Sequence, residues 1–293
     1  MLPQTEMLRD EVEGLDLRPD VDILDYLLEA QKAALRGLDD CLSALSDGAT
    51  ILTDTVRQGG KIYYAAAGSS GLMGLADGAE LSGTFGLSPE SMAICMAGGV
   101  PQGAAMPGHT EDDETAAQTA AANVQPVDAV IALSASGSTP YAVEFARHAR
   151  AQGAKVIGIA NNAEAPLFDY VDCAVHLNTP PEPIAGSTRL GAATAQKVAL
   201  NMMSTLMGIR LGHVHDGMMI NVIADNHKLR QRAEGIVGKI AGVSAEQASD
   251  ALSRASGNVK QAILLAAGAD SPNRAEALLA QSDGHLRPAL KHL

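Results

Sequence analysis

A chain of 293 residues with a formal charge of −13, 46% hydrophobic residues, five Tyr, three Phe and no Trp is long enough for one large α/β domain plus a small appendage, or for two medium domains, around an aliphatic core. This excludes a disordered polymer, and the acidic balance argues against a nucleic-acid or anionic-membrane surface, which needs clustered Lys and Arg. An anionic small molecule stays open as a partner, because a pocket needs only a few local donors whatever the global charge. Cys41, Cys95 and Cys173 are odd in number, far apart and without a C-x-x-C pair, so they read as buried thiols in a reducing compartment, with neither a disulfide framework nor a zinc site suggested. The polar, acidic start from Met1 to Gly14 has no basic and apolar leader, and no window reaches the length of a membrane span; a soluble, cytoplasmic protein is expected.

Apolar residues at helical spacing (Val21, Leu24, Leu27, Leu28, then Leu42, Leu45, Ile51, Leu52, Val56) predict helix from Asp20 to Gln58, in two pieces with a break near Gly37. From Lys61 the pattern changes to short apolar runs, Lys61–Ala66, Ser91–Met96, Asp128–Ser134, Lys155–Ala160 and Asp172–Leu177, which predict buried parallel strands. Between them Gly71–Leu81, Glu111–Ala122 and Thr139–Gln152 predict helices, with a short turn at Ala165–Tyr170. This alternation is that of a doubly wound α/β sheet, whose right-handed crossovers bring ligands to the carboxyl ends of the strands. After a proline-rich loop, Asn178–Pro183, the stretch Leu190–Leu211 predicts a long helix, apolar nearly all round and suited to a domain centre or a subunit contact. Two more helical stretches are expected up to Ala241. The tail opens on the capping-box pattern Ser244-Ala-Glu-Gln, is punctuated by Gly257-Asn258 and restarts at Asn273 and Gly284, which predicts a small three-helix module similar to a UBA fold. The expected division is 1–58 for N-terminal helices packing on the sheet domain, 59–240 for that domain and 241–293 for the module.

Two loops share one setting, strand then small hydroxylated residues then helix: Ala67-Gly-Ser-Ser-Gly71 and Ser134-Ala-Ser-Gly-Ser-Thr-Pro140. Glycine lets a ligand approach the backbone, hydroxyls donate, and the helix that follows offers free N–H groups to an anion. Either loop alone reads as an N-capped βα turn; two in one sheet read as a phosphate cradle. The first loop lacks G-x-G-x-x-G spacing, the second strand ends in Cys95-Met96 with no acid for a ribose, and no G-x-x-x-x-G-K-[ST] occurs, which sets aside dinucleotide and P-loop sites. His213, His215 and Asp216 have no third distant ligand and read as a solvated turn after a helix. Ser69 and Ser136 have no His in a recognisable partner motif and are poor nucleophile candidates. Arg189, beside two hydroxylated residues at a helix start, suits a phosphate or carboxylate as well as a solvated surface.

The ordered set Gly68-Ser-Ser-Gly71, Asp77-Gly-Ala-Glu80, Ala97-Gly-Gly99, Glu111-Asp112, Ser134–Tyr141 and Pro181-Glu-Pro-Ile-Ala-Gly-Ser-Thr-Arg-Leu-Gly-Ala-Ala-Thr-Ala-Gln-Lys197 resembles the motifs of the N-acetylmuramic acid 6-phosphate etherases, whose signature is shared with the glucokinase regulatory proteins. The resemblance continues through Leu200–Thr205 and Asn226-His-Lys-Leu229. It implies an α/β sugar isomerase (SIS) fold with a five-stranded parallel sheet, and cleavage of the D-lactyl ether of a sugar phosphate with no cofactor and no metal. By motif position Glu80 would be the acid that protonates the departing oxygen and Glu111 the base at C2. Gly68, Ser69, Ser70, Ser134, Ser136, Ser138, Thr139, Glu182, Ser187, Thr188 and Arg189 would hold the sugar phosphate. From spacing alone Glu80 also reads as a surface carboxylate beside Asp77, and Glu111 as the acidic opening of an ordinary helix. Where the family carries Arg and Lys, this chain has Leu72 and Gly191. The implied partner is a small sugar phosphate, with a homodimer whose site lies near the subunit boundary. An aldose–ketose isomerase would use the same loops without a lactyl-binding group, and a non-catalytic sensor would be expected to lack one of the glutamates.

Overall fold

In the computed structural model, which describes residues 3–106, 108–222 and 227–293, the apolar runs are strands and the amphipathic stretches helices, grouped in two units: Met1–Ala79 with Glu90–Ser204, and Glu80–Pro89 with Thr205–Leu293. The first unit starts with α1 (Asp20–Leu35) and α2 (Leu42–Arg57), joined by a 3-10 turn over Arg36–Cys41. The break expected near Gly37 has a packing reason. A Cβ on Gly37 would stand 2.8 Å from the carbonyl of Asn178, a distance at which only glycine fits. There follow β1 (Ile62–Ala66), α3 (Gly68–Phe85), β2 (Met92–Met96), α4 (Glu114–Ala121), β3 (Ala129–Ser134), α5 (Pro140–Ala151), β4 (Lys155–Ala160), β5 (Cys173–His176) and α6 (Gly191–Arg210).

The five strands are parallel in the order β2-β1-β3-β4-β5. The chain reverses direction across the sheet between β1 and β3, so the crevice outside their carboxyl ends is the switch point where such sheets bind ligands. β1 and β3 are buried along their whole length, as the unbroken apolar runs require of strands covered on both faces. One face packs Tyr63, Val130, Ala132 and Val156 against Phe145, Ala146, Ala149 and Ala117. On the other, α3 lies close because its contact residues are glycines: a Cβ on Gly78 would stand 2.7 Å from Ile94 Cδ1, and one on Gly74 3.4 Å from Tyr64. Ile131, Leu133, Ile157 and Ile159 are almost wholly removed from water, each worth about 1.5–3 kcal/mol against exposure. Along α6, Ala195, Ala199, Leu200 and Met203 are buried, while Met202 and Ile209 on the same helix stay exposed.

The second unit, taken by itself, holds the last turn of α3, the end of α6, a hairpin of β6 (Val214–His215) and β7 (Met218–Met219), and α7 (His227–Ala241), α8 (Ala245–Arg254), α9 (Val259–Ala266), α10 (Pro272–Gln281) and α11 (Leu286–Lys291). Two helical stretches were expected before Ala241; the first is this hairpin. Its turn, Asp216-Gly217, has φ of 46° and 75°, the left-handed pair that a two-residue hairpin needs. His213 precedes the hairpin, and His215 and Asp216 lie within it. The expected capping box closes α8 from Ser244 and Gln247, and Asn258 caps α9. α10 opens one step earlier than expected, with Ser271 as cap and Pro272 in the first turn, and α11 follows the restart expected at Gly284, so the tail holds four helices where a three-helix module was expected. Ile220, Val237, Ala262, Ile263, Leu264, Leu278 and Leu286 form its core. Asn226 lies outside the described residues. No helix among the described residues is long and apolar enough to cross a membrane.

Candidate active site

Ala66 at the end of β1 pairs with Leu133 near the end of β3, so the two hydroxylated loops emerge side by side from the sheet. In the first, Gly68 has φ of +53° and opens α3, whose first N–H groups are left free for an acceptor. Ser69 stays partly open, while Ser70 is buried at 6% exposure and belongs to the frame. Glu111 comes to this turn from the segment that follows β2 in the chain. A Cβ on Gly68 would lie 2.7 Å from Glu111 Oε1, so glycine is what lets the carboxylate rest over the helix start. Gly68 and Glu111 line a cleft of about 270 Å³ with Met96, Gly98, Gly99 and Thr110. Burial, and secondarily the charge of Asp112, hold the Glu111 carboxyl above the ordinary glutamate range.

Glu111 does not open a helix, as its acidic run suggested. The cap of α4 is Asp113, whose side chain accepts the Ala116 N–H at 2.8 Å, and Glu111 belongs to a preceding 3-10 turn, Gly108–Asp112. The carboxylate is therefore free of capping duty. Glu80 stands exposed on α3, and at 1.5 Å per residue the helix rises about 18 Å from Gly68 to reach it. Its neighbour Asp77 is buried and accepts from Tyr64 Oη (2.8 Å), Asn201 Nδ2 (2.7 Å) and Ser204 Oγ (3.0 Å), a knot that ties β1, α3 and α6 together.

In the second loop Ser134, 2% exposed, organises its neighbours: its Oγ accepts the Gly137 N–H at 2.9 Å and bonds Thr139 Oγ1 at 2.8 Å and Ser136 Oγ at 3.2 Å. Ser138 Oγ donates to Ser136 Oγ at 3.1 Å. Ser136 and Ser138 line a cavity of about 470 Å³ with Pro3, Gln4, Asn162 and Pro181. Asn162, two residues beyond β4, was not singled out from the sequence. Its Nδ2 donates to Ala135 O (3.2 Å) and Ser136 O (3.0 Å), and its Oδ1 accepts the Gln4 N–H at 2.8 Å. The signal available for it is the rule that ligands meet the carboxyl ends of strands, since Asn162 follows the end of β4.

The signature loop approaches the first serine loop, with Ser69 Oγ 3.5 Å from Thr188 Oγ1. Ser187 is partly open and Arg189 exposed. Glu182 is placed differently from a ligand-facing group. At 2% exposure its two oxygens accept the N–H groups of Gly191 and Ala192, both at 2.8 Å, and so close the start of α6 from within the protein. Burial nevertheless leaves its carboxyl above the usual range. A Cβ on Gly191 would meet Ala34 Cβ and Glu182 Oε2, both at 3.1 Å, so a lysine here would crowd that cap and α1.

A parallel sheet with hydroxylated turns at its switch point is the architecture of a SIS domain, and residues 25–161 match that family. In the solved structures, a phosphoheptose isomerase from Francisella tularensis shares the fold with a TM-score of 0.50 at 15% identity, covering 66% of this chain and 100% of that one. The N-acetylmuramic acid 6-phosphate etherase of Deinococcus radiodurans is 38% identical over 98% of this chain and 95% of its own length, and that of Geobacillus thermodenitrificans 37% identical over 98% of each. The chain belongs to the N-acetylmuramic acid 6-phosphate etherase family.

Proposed function

We propose that the protein is a carbon–oxygen lyase that converts N-acetylmuramic acid 6-phosphate into N-acetylglucosamine 6-phosphate and D-lactate, in cytoplasmic recycling of cell-wall amino sugars. The near full-length similarity to the etherases carries the reading, and the carboxylate resting on the first serine loop supports it. In the open-chain sugar the C2 proton is acidified by the C1 aldehyde. Glu111 removes it, the C3–O bond breaks as a C2=C3 double bond forms, and Glu80 protonates the lactyl oxygen as it leaves. Water then adds across the double bond, hydroxyl to C3 and proton to C2. A base held above the usual carboxylate range accepts that proton more readily than an ordinary glutamate. Ser69, Ser136, Ser138, Thr139, Ser187, Thr188 and Arg189 hold the anionic substrate, with Gly68 leaving room for it, while Ser70, Ser134 and Glu182 shape the loops around it.

The working form is a homodimer. Val21, Leu24, Leu28 and Leu35 leave an exposed apolar stripe along α1 that a second copy would cover. Glu111 must also come within about 3 Å of C2 and its proton, and Glu80 within about 3 Å of the oxygen on the adjacent C3. The rise of α3 between Gly68 and Glu80 therefore favours a site in which one protomer's Glu111 works with the partner's Glu80. Functionally we keep the division into N-terminal helices (1–58), SIS domain (59–240) and C-terminal module (241–293).

Incubating the protein with N-acetylmuramic acid 6-phosphate and assaying D-lactate tests the reading. Release that is lost in Glu80→Gln and Glu111→Gln supports it. A ketose product from an aldose phosphate, or tight binding without turnover, would replace it with an isomerase or a sensor.

A further inference from the structure

The N-terminal segment runs across the mouth of the second serine loop, and one side chain holds both. Asn162 spends its two N–H groups on the loop carbonyls of Ala135 and Ser136 and its oxygen on the N–H of Gln4, 158 positions away. The segment is anchored at three further points: Thr5 O accepts the Gly186 N–H at 3.0 Å, Arg9 Nε donates to Pro181 O at 2.6 Å, and the buried Thr5 hydroxyl lies 3.5 Å from Asn162 Nδ2. Pro3, Gln4 and Met7 thereby become wall to the same cavity that Ser136 and Ser138 line.

We propose that Asn162 is a positioning residue for substrate binding, which fixes the Ser136 turn and latches residues 3–9 beside it as part of the wall around the sugar phosphate. The inference rests on the substrate reading above, because that reading supplies the occupant. The physical reason is preorganisation. Ser136 and Ser138 bond each other and their own turn, so their free donor directions depend on how the carbonyls of Ala135 and Ser136 are held. A turn that must be ordered when ligand arrives binds it more weakly.

Two substitutions separate the halves of the latch. Asn162→Ala removes the bonds to Ala135, Ser136 and Gln4 together with the long contact to Thr5. Gln4→Pro removes the N–H accepted by Asn162, with Gln4→Ala as the control for the lost wall side chain, and the extended Pro3 (φ −55°, ψ 144°) already has the conformation that a following proline demands. In the ligand-free protein, amide exchange over residues 5–9 should quicken in both variants. With N-acetylglucosamine 6-phosphate, calorimetry should show affinity lowered about tenfold in Asn162→Ala and less in Gln4→Pro, and the double variant should be no worse than Asn162→Ala. In turnover the loss should fall on KM, with kcat within about twofold of the parent, and Asn162→Gln should recover part of it. Unchanged exchange over residues 5–9, or a fall in kcat at constant KM accompanied by a lowered melting temperature, overturns the proposal. If the unsubstituted protein does not bind the sugar phosphate, the substrate reading fails and this role with it; if it binds and both variants match it, only the latch fails.

Discussion

Mixing two inactive variants distinguishes a site completed across the dimer from one contained in a single protomer. Glu111 Oε1 rests 2.7 Å from where a Gly68 Cβ would be, at the first residue of α3, while Glu80 lies about 18 Å of helical rise further along the same helix. In the proposed reaction both carboxylates must reach protons on or beside neighbouring carbons of one sugar. If Glu80 is supplied by the partner, Glu80→Gln and Glu111→Gln homodimers are each inactive, but a heterodimer has one site with both glutamates intact and one with neither. Random exchange of equal amounts makes half of the dimers mixed, so roughly one quarter of the sites recover, as two-fold symmetry dictates. The assay is D-lactate release after co-refolding or prolonged co-incubation, with subunit exchange followed by mass spectrometry of differently tagged chains. No recovery in a sample shown to contain heterodimers would refute the shared site, since a site within one protomer is dead in every combination.

Asp77→Ala leaves Tyr64 Oη, Asn201 Nδ2 and Ser204 Oγ without their buried acceptor and should lower stability by about 3–5 kcal/mol, read from the urea midpoint. Because Glu111 must be ionised to act as base and is held above its usual range by burial and then by Asp112, the acid limb of kcat/KM should lie above pH 4.5. Asp112→Asn should move that limb to lower pH, as the pH–rate profile would show. Lys260, 7% exposed and donating to Gly284 O, is lowered by burial to about 8 from 10.5. Between those values the unfolded chain binds the proton and the folded one does not, so this group adds stability as pH rises from about 8, by about 3 kcal/mol at most. Lys260→Met should flatten that rise in thermal melts between pH 7.5 and 10, with His213 and His285 the neighbouring titratable groups to control for.

Local chemistry was legible in the chain. The five apolar runs, the two hydroxylated loops and the capping box at Ser244 each depend on residues a few positions apart, and the runs and loops define a doubly wound sheet with hydroxylated turns at its switch point. The Asp216-Gly217 hairpin was missed, because the apolar residues around it suggested helix, although its dipeptide favours left-handed backbone. What only tertiary structure decided is which polar groups face outward and which are consumed in building. Ser134 and Glu182 have the residue types of ligand-binding groups, yet their acceptors are taken by backbone N–H groups that folding brings to them. Glu111 is released from an apparent helix start because Asp113 takes the cap. Asn162 gains its meaning from Gln4, at the other end of the domain's sequence. A side chain's type sets what it can bond, but the competition among partners for that bond is settled by distances that exist only once remote segments of the chain are packed together.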